Sequence, residues 1–272
     1  MYKQFCSAFL LAGALILTTV TACKKDNANP ATDPAVESAT QALRSQQFIA
    51  TSFGIALRGA AEADGFAHDG ADDRCGSLTI SPLDPAAFPK VVTVDFGTGC
   101  TDSDGKFKSG KVTLTFGKIW APGSEVSLVY DNYTEDGAKL SGTFALQNQS
   151  TPDAGVFILL AQNVKAADAT GHTLDYDAVQ TFTQTGGHNT PLNWNDDVYN
   201  VTGTINTVLT NGETVDWTIQ TPLVKANNCF WVSAGTGTLD INGLAVGVDY
   251  GDGTCDNKAT VTVNGQTYQI TL

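Results

Sequence analysis

The run Gly237-Thr238-Leu239-Asp240-Ile241-Asn242-Gly243-Leu244-Ala245-Val246-Gly247-Val248-Asp249-Tyr250 reads as a β-hairpin. Asn-Gly supplies the two positive-φ residues of a tight turn, and apolar residues alternate on either side of it. A two-residue turn here sets Leu239 opposite Val246 and Ile241 opposite Leu244, all on one face. Asn264-Gly265 repeats the device, pairing Val261 with Tyr268 and Ala259 with Ile270, while Thr260, Thr262 and Thr267 face the other way. Asp136-Gly137 and Asn211-Gly212 mark two further hairpins. From Leu78 to Leu272 short β-prone runs follow one another, punctuated by Gly, Asn and Asp, and read as about a dozen strands. Consecutive hairpins pair neighbours in sequence. The expected fold is therefore all-β and mainly antiparallel, either a sandwich or an open-barrel meander.

Upstream the period changes. Val36, Ala39, Leu43, Gln46 or Gln47, Ala50, Phe53 and Leu57 recur at helical spacing, with Asp33 placed to cap the N-terminus and Pro34 at the first helical position. This predicts one amphipathic helix from 33 to about 62, with Gly54 and Gly59 weakening its second half and a break expected near Gly54. Asp64 to Asp73, rich in Gly, Ala and Asp, reads as an exposed loop.

The first residues give an address. Lys3, an apolar run from Ala8 to Leu17 and then Val20-Thr21-Ala22-Cys23 resemble a bacterial lipoprotein signal, cleaved before a Cys that carries diacylglycerol. The expected organisation is a signal peptide over 1–22, lipidated Cys23 with a polar tether to residue 32, and a single β domain with its helix over 33–272. Removing residues 1–22 from the 272-residue chain leaves 250, enough for a sizeable core. The residue after Cys23 is Lys, not the Asp of inner-membrane retention, so the expected location is the outer membrane, with Cys23-Lys24-Lys25-Asp26 resembling a surface-export stretch. The formal net charge is −13 and basic residues form no block, which argues against nucleic acid as a partner.

Of six cysteines, Cys6 lies in the signal and Cys23 takes lipid. The remaining four, in an exported chain, have near-equal spacings of 25 (75 to 100) and 26 (229 to 255), which predicts bridges Cys75–Cys100 and Cys229–Cys255. Zinc is the competing reading, but no C-x₂-C supports it. The two pairs sit in similar surroundings. Cys75, Val94-Asp95-Phe96-Gly97-Thr98-Gly99, Cys100 and Val112-Thr113-Leu114 correspond to Cys229, Val248-Asp249-Tyr250-Gly251-Asp252-Gly253, Cys255 and Val261-Thr262-Val263, an internal repeat over 75–116 and 229–263.

Asp95 to Lys106 with Ser109-Gly110-Lys111, the Asp131-Asn132-Tyr133 and Gly142-Thr143 steps, and the ending Asp249 to Val261 together resemble a family of uncharacterised Bacteroidota lipoproteins. The resemblance covers most of residues 75–272. It implies the membrane address and the disulfides, and it carries over no catalytic residue.

Candidate sites are few. Asp102-Ser103-Asp104-Gly105 resembles part of a calcium loop, and Asp249, Asp252 and Asp256 form a second acidic cluster; calcium is the cofactor either would take. A polar hairpin tip is the competing reading of the first. Trp120, Trp194, Trp217 and Trp231 with Tyr130, Tyr133 and Tyr199 would form a sugar-stacking platform if several shared an exposed face. Trp194, Trp120 and Tyr133 are the ligand-binding candidates, whereas Trp217 and Trp231 lie in strand patterns that suit core packing. His68, His172 and His188 stand in no nucleophile or metal motif, and no G-x-S-x-G or H-E-x-x-H occurs. The expected function is a surface-exposed outer-membrane lipoprotein with a non-catalytic binding or envelope-structural role. An accessory glycan-binding lipoprotein of a polysaccharide uptake system is the alternative, and a hydrolase using paired carboxylates is the enzyme reading.

Overall fold

A computed structural model describes residues 33–63, 75–102, 105–152, 154–190 and 193–272. The signal, Cys23, the tether, His68 and Asp104 lie outside the described residues, as does the side chain of Trp194. Helix α1 (Pro34–Ala63) precedes strands β1 (Ser77–Ser81), β2 (Lys90–Asp95), β3 (Cys100–Thr101), β4 (Phe107–Phe116), β5 (Glu125–Glu135), β6 (Ala138–Asn148) and β7 (Val156–Asp168). The second half comprises β8 (Thr173–Gly186), β9 (Val198–Leu209), β10 (Thr214–Ala226), β11 (Ala234–Ile241), β12 (Leu244–Asp252), β13 (Lys258–Val263) and β14 (Gln266–Thr271). All pairings are antiparallel and belong to one sheet in sequence order from β1 to β14, with the two-residue β3 pairing on β4 alone. The fold is an all-β meander with one N-terminal helix, built as a single sheet and not as two stacked ones.

The sheet is wrapped round the helix. α1 touches β2 and β4 near one edge of the sheet and β13 and β14 at the other. Laid flat at about 4.8 Å per strand, those elements would be some 50 Å apart, five times the width of a helix. Of the 30 helical residues only Pro34 and Glu37 are exposed. Asp33 caps the helix, its Oδ1 accepting from the Ala35 N–H at 2.9 Å. The positions that set the helical period, Val36, Ala39, Leu43, Gln46, Ala50, Phe53 and Leu57, are all buried. Polar residues carried inside find partners: Gln46 and Gln180 exchange amide hydrogen bonds at 3.1 and 2.6 Å, and Ser52 meets the Tyr130 hydroxyl at 2.5 Å.

The curl has an identifiable cause. Gly110 in β4 has φ +78° and faces the Asn132 carbonyl in β5, where Asn132 itself has φ +50°; Gly142 in β6 (φ +112°) lies against Asn163 and Val164 in β7 in the same way. Register shifts occur at these steps in the β4–β5, β5–β6, β6–β7 and β7–β8 ladders. Each is a bulge that bends the strand and raises its twist, and a seam of them across neighbouring strands coils the sheet.

The helix runs unbroken through Gly54, contrary to the expected break. Packing on nearly all sides outweighs the roughly 1 kcal/mol that a helical glycine costs. The two glycines differ in surroundings. A Cβ on Gly54 would meet nothing within 4 Å, whereas one on Gly59 would collide with Leu114 Cδ1, itself fully buried. Gly54→Ala is expected to stabilise by about 0.5–1 kcal/mol and Gly59→Ala to destabilise by about 1 kcal/mol, read as opposite shifts in the urea midpoint at constant m-value.

The hairpins have the register read from their turns. Leu239 faces Val246, Ile241 faces Leu244, Val261 faces Tyr268 and Ala259 faces Ile270. Asn242, Asn264 and Asp136 all have positive φ with glycine following, the conformation a two-residue turn needs. The Asn211-Gly212 hairpin uses a longer loop from Leu209 to Thr214, closed by Gly212 N donating to Leu209 O at 2.9 Å.

Candidate functional site

Both disulfides link local pairs, Cys75 to Cys100 and Cys229 to Cys255, each with a Cα–Cα distance of 5.7 Å. Each closes the open end of a hairpin, β1–β2 in one case and β11–β12 in the other. The repeated V-D-aromatic-G stretch has the same construction twice. Asp95 Oδ1 accepts from Gly97 N at 2.9 Å and Asp249 Oδ1 from Gly251 N at 2.8 Å, while Phe96 and Tyr250 turn into the core.

That construction gives the described acidic residues other partners. Asp249 serves its own turn, Asp252 Oδ1 accepts from the Thr254 N–H and hydroxyl at 3.1 and 2.8 Å, and Asp256 Oδ1 accepts from Lys258 N at 3.0 Å. The Thr254 hydroxyl and N–H hold the Asp252 carboxyl below its usual range. These carboxylates point at successive backbone amides and do not converge, and no group of three or more candidate ligands forms among the described residues. Asp102 is also engaged: Oδ2 accepts from the buried Lys108 amine at 2.8 Å and Oδ1 from the Cys75 N–H at 3.4 Å. The segment around it is a hairpin tip joining β3 to β4, closed by Asp102 N donating to Lys106 O at 3.0 Å.

Several members of the candidate aromatic platform are buried. Tyr133 is 0 % exposed and donates from its hydroxyl to Glu135 Oε2 at 2.8 Å, stacked on the buried Tyr130 at 5.1 Å; Tyr199 is buried as well. Alternation along β5 would turn Tyr133 outward, but the bulge at Asp131-Asn132 reverses the phase, so 126, 128 and 130 and then 133 and 135 face inward. Trp217 is core, its Nε1–H donating to Gln46 Oε1 at 3.3 Å, and Trp231 is half-buried against Phe230 with the Lys106 amine 4.8 Å above its ring.

Trp120 is different. It is 43 % exposed and stands in the β4–β5 connection, next to the fully buried Ile119. The Ile119 carbonyl accepts from Asn148 Nδ2 and from Ser124 Oγ, both at 2.7 Å. Those bonds pin the loop on one residue and leave the next facing out.

Trp120 borders a cavity of about 330 Å³ at the C-terminal end of α1. Leu57, Ala61, Phe157 and Tyr199 form its apolar floor, and the β4–β5, β6–β7 and β8–β9 connections form its rim. His188 and Asp197 come from the last, and Gln184 from the end of β8. Trp194 begins a 3-10 turn, Trp194–Asp196, that leads directly into Asp197. Asp197 Oδ1 accepts from Gln184 Nε2 at 2.7 Å and Oδ2 from the Tyr199 hydroxyl at 3.3 Å. Burial pushes the Asp197 carboxyl up to about 6, opposed by those two hydrogen bonds and reinforced by neighbouring Asp196. The position of Asp197 is what sequence reading missed; the Asn193-Trp194-Asn195-Asp196-Asp197 run was the one pointer to it.

A carboxyl that keeps its proton to pH 6 when folded and loses it near pH 4 when unfolded makes stability fall as pH rises through that window. Asp197→Asn removes the effect. Its melting temperature is expected to exceed that of the parent above pH 7, by the equivalent of about 1 kcal/mol after allowing for partial exposure, and the gap is expected to close at pH 4.

Compared with protein-family models, with curated proteins and with solved structures, the chain matches none of them. The cavity has to be read from its own chemistry. An aromatic face at the rim, a carboxylate with an adjoining carboxamide inside, and an apolar floor suit a ligand with one apolar ring face and several hydroxyls.

Proposed function

We propose that the protein is a surface-facing, lipid-anchored outer-membrane lipoprotein whose cavity at the C-terminal end of α1, the mouth of the coiled sheet, binds a glycan without catalysing a reaction on it. The observation that carries the reading is the convergence of Trp120 with Asp197 and Gln184 on one cavity. A pyranose presents a C–H face that packs on an indole and a hydroxyl edge that donates to a carboxylate and a carboxamide. Asp197 is held by Gln184 and Tyr199 in the manner of a positioned acceptor.

The helix supports a mouth held away from the membrane. Its start at Pro34 lies eleven residues after Cys23, and its last two turns floor the cavity. At 1.5 Å per residue the mouth stands roughly 35 Å along the helix from the tethered end. A lipid on Cys23 would thus hold the helix start nearest the bilayer and present the mouth away from it. Protease digestion of the β domain on intact cells is expected, and protection until lysis would overturn the outward orientation.

The binding test is an oligosaccharide array followed by calorimetry on the best ligand. Trp120→Ala is expected to cost about 2 kcal/mol, roughly 30-fold in Kd, and Asp197→Asn a smaller factor. A ligand bound equally well by Trp120→Ala and Trp194→Ala, or no glycan bound at all, would remove the reading.

A further inference from the structure

The carboxylate of the mouth cavity is half-buried and held by neutral groups. Asp197 accepts from the Gln184 carboxamide at 2.7 Å and the Tyr199 hydroxyl at 3.3 Å. Among the described residues no lysine or arginine lines this space. Helix α1 contributes Leu57 and Ala61, β7 contributes Phe157, and the β6–β7 connection contributes only uncharged residues. The titratable neighbours of Asp197 are three. His188, exposed at the rim, attracts the carboxylate when protonated; Asp196 opposes its charge and is itself held by the Thr190 hydroxyl at 2.8 Å; Tyr199 is kept neutral by burial.

A larger cavity, of about 490 Å³ between the β3–β4 hairpin and the β10–β11 connection, has the opposite arrangement. There Asp102 accepts from the nearly enclosed Lys108 amine at 2.8 Å, and the enclosed Lys225 amine donates to the carbonyls of Ala226 and Cys229. In that cavity the chain itself supplies the amines. At the mouth it supplies a carboxylate and leaves the amine out.

Hydrogen bonding at the mouth is weighted the same way. The side-chain donors Asn148, Ser150, Gln184 and Tyr199 each give a hydrogen to a protein acceptor. An ionised carboxylate only accepts, so Gln184 turns its NH2 toward Asp197 and its Oε1 elsewhere, and that oxygen takes no donor among the described residues. The backbone is pared back beside both acceptors: a Cβ on Gly155 would lie 2.5 Å from Gln184 Oε1, and one on Gly187 would collide with Asp197 Oδ1. Partial burial without a cation disfavours the charged carboxyl, and an ammonium brought by a ligand offsets that cost. An indole face at the rim favours a cation as well. We propose that the glycan taken at the mouth carries a basic amino group, its ammonium answered by Asp197 and Gln184 Oε1 and its C–H face by Trp120; the inference rests on the glycan reading of this cavity.

Chitotetraose, its fully N-acetylated counterpart and cellotetraose share one β-1,4 skeleton and carry an amine, an acetamide or a hydroxyl at C2. Each is titrated into the full chain by calorimetry at pH 7 and physiological salt. Chitotetraose is expected to bind about tenfold more tightly than either of the others. Asp197→Asn is expected to remove that preference, weakening chitotetraose about tenfold and cellotetraose by a smaller factor. Asp252→Asn, at an exposed carboxylate outside the cavity, is expected to leave all three unchanged, which separates local pairing from general attraction to an acidic chain. Carbon-13 shifts of the Asp197 carboxyl give a readout besides affinity: saturation with chitotetraose is expected to lower its titration midpoint by about one pH unit, and cellotetraose is not. Neutral tetraoses bound as tightly as chitotetraose and weakened by Trp120→Ala would overturn the amine and leave the glycan reading standing. Chitotetraose binding undiminished by Asp197→Asn, or diminished equally by Asp252→Asn, would overturn the proposal as well. Binding of none of the three also overturns it, while the glycan reading falls only with an array that yields no ligand.

Discussion

Truncating Phe53 to alanine is expected to lower the unfolding free energy by about 4 kcal/mol, toward the upper part of the range for a buried aromatic. Phe53 is 1 % exposed and its ring stacks on Phe182 at 3.9 Å, with edge contacts to Phe157 at 6.0 Å and Tyr199 at 5.0 Å. Four rings from α1, β7, β8 and β9 thus interlock at one point. The cost of such a deletion depends on how far the surroundings can collapse into the hole. Here they can move little, because a helix touched by strands from both edges of the sheet cannot shift toward one wall without leaving another. Phe157 and Tyr199 also floor the mouth cavity, so the same change is expected to loosen ligand binding there. Urea denaturation with an unchanged m-value checks the first effect; a loss below 2 kcal/mol would mean that the helix is not held from all sides.

Replacing Cys229 and Cys255 together by serine is expected to cost about 3.5 kcal/mol, the loop-closure value for a bridge of this span, and the Cys75–Cys100 pair a similar amount. The bridge closes the β11–β12 hairpin at the end opposite Asn242-Gly243, where the ladder begins at Ala234 and Asp252 and a register shift follows at once. Cys229 lies 4 % exposed with its carbonyl accepting from Lys225, while Cys255 is exposed. Losing the link therefore frees the β10–β11 connection that walls the larger cavity, as well as widening the unfolded ensemble. Unfolding of the parent with and without reductant, set beside the double variant, measures the difference. A change under 1 kcal/mol would show that the unfolded chain already keeps these cysteines close.

Much of this architecture is written locally. Asn242-Gly243 and Asn264-Gly265 need positive φ at consecutive residues, and a turn of two residues leaves one register open to its flanking strands. The helix is equally local, since Asp33, Pro34 and a 3.6-residue period from Val36 to Leu57 require no knowledge of what they pack against. The pairing of the four domain cysteines belongs with these, because their near-equal spacings of 25 and 26 along the chain already point to two local bridges.

The tertiary structure decided the rest. Periodicity marks which face of α1 is apolar, but not that one sheet coils round it until only two of its residues are exposed; that follows from a seam of bulges, each set by the meeting of two strands. The same bulges defeat residue-by-residue inference. Tyr133 reads as outward by counting from Tyr130 and is inward because Asn132 reverses the phase, whereas Trp120 is outward because the Ile119 carbonyl is claimed by Asn148 and Ser124 from other positions in the chain. Turn chemistry and helical period are properties of neighbouring residues, legible in order along the chain. The two cavities, the elevated Asp197 carboxyl and the enclosed lysines are properties of residues brought together from distant segments, and only the folded chain sets the distances on which they depend.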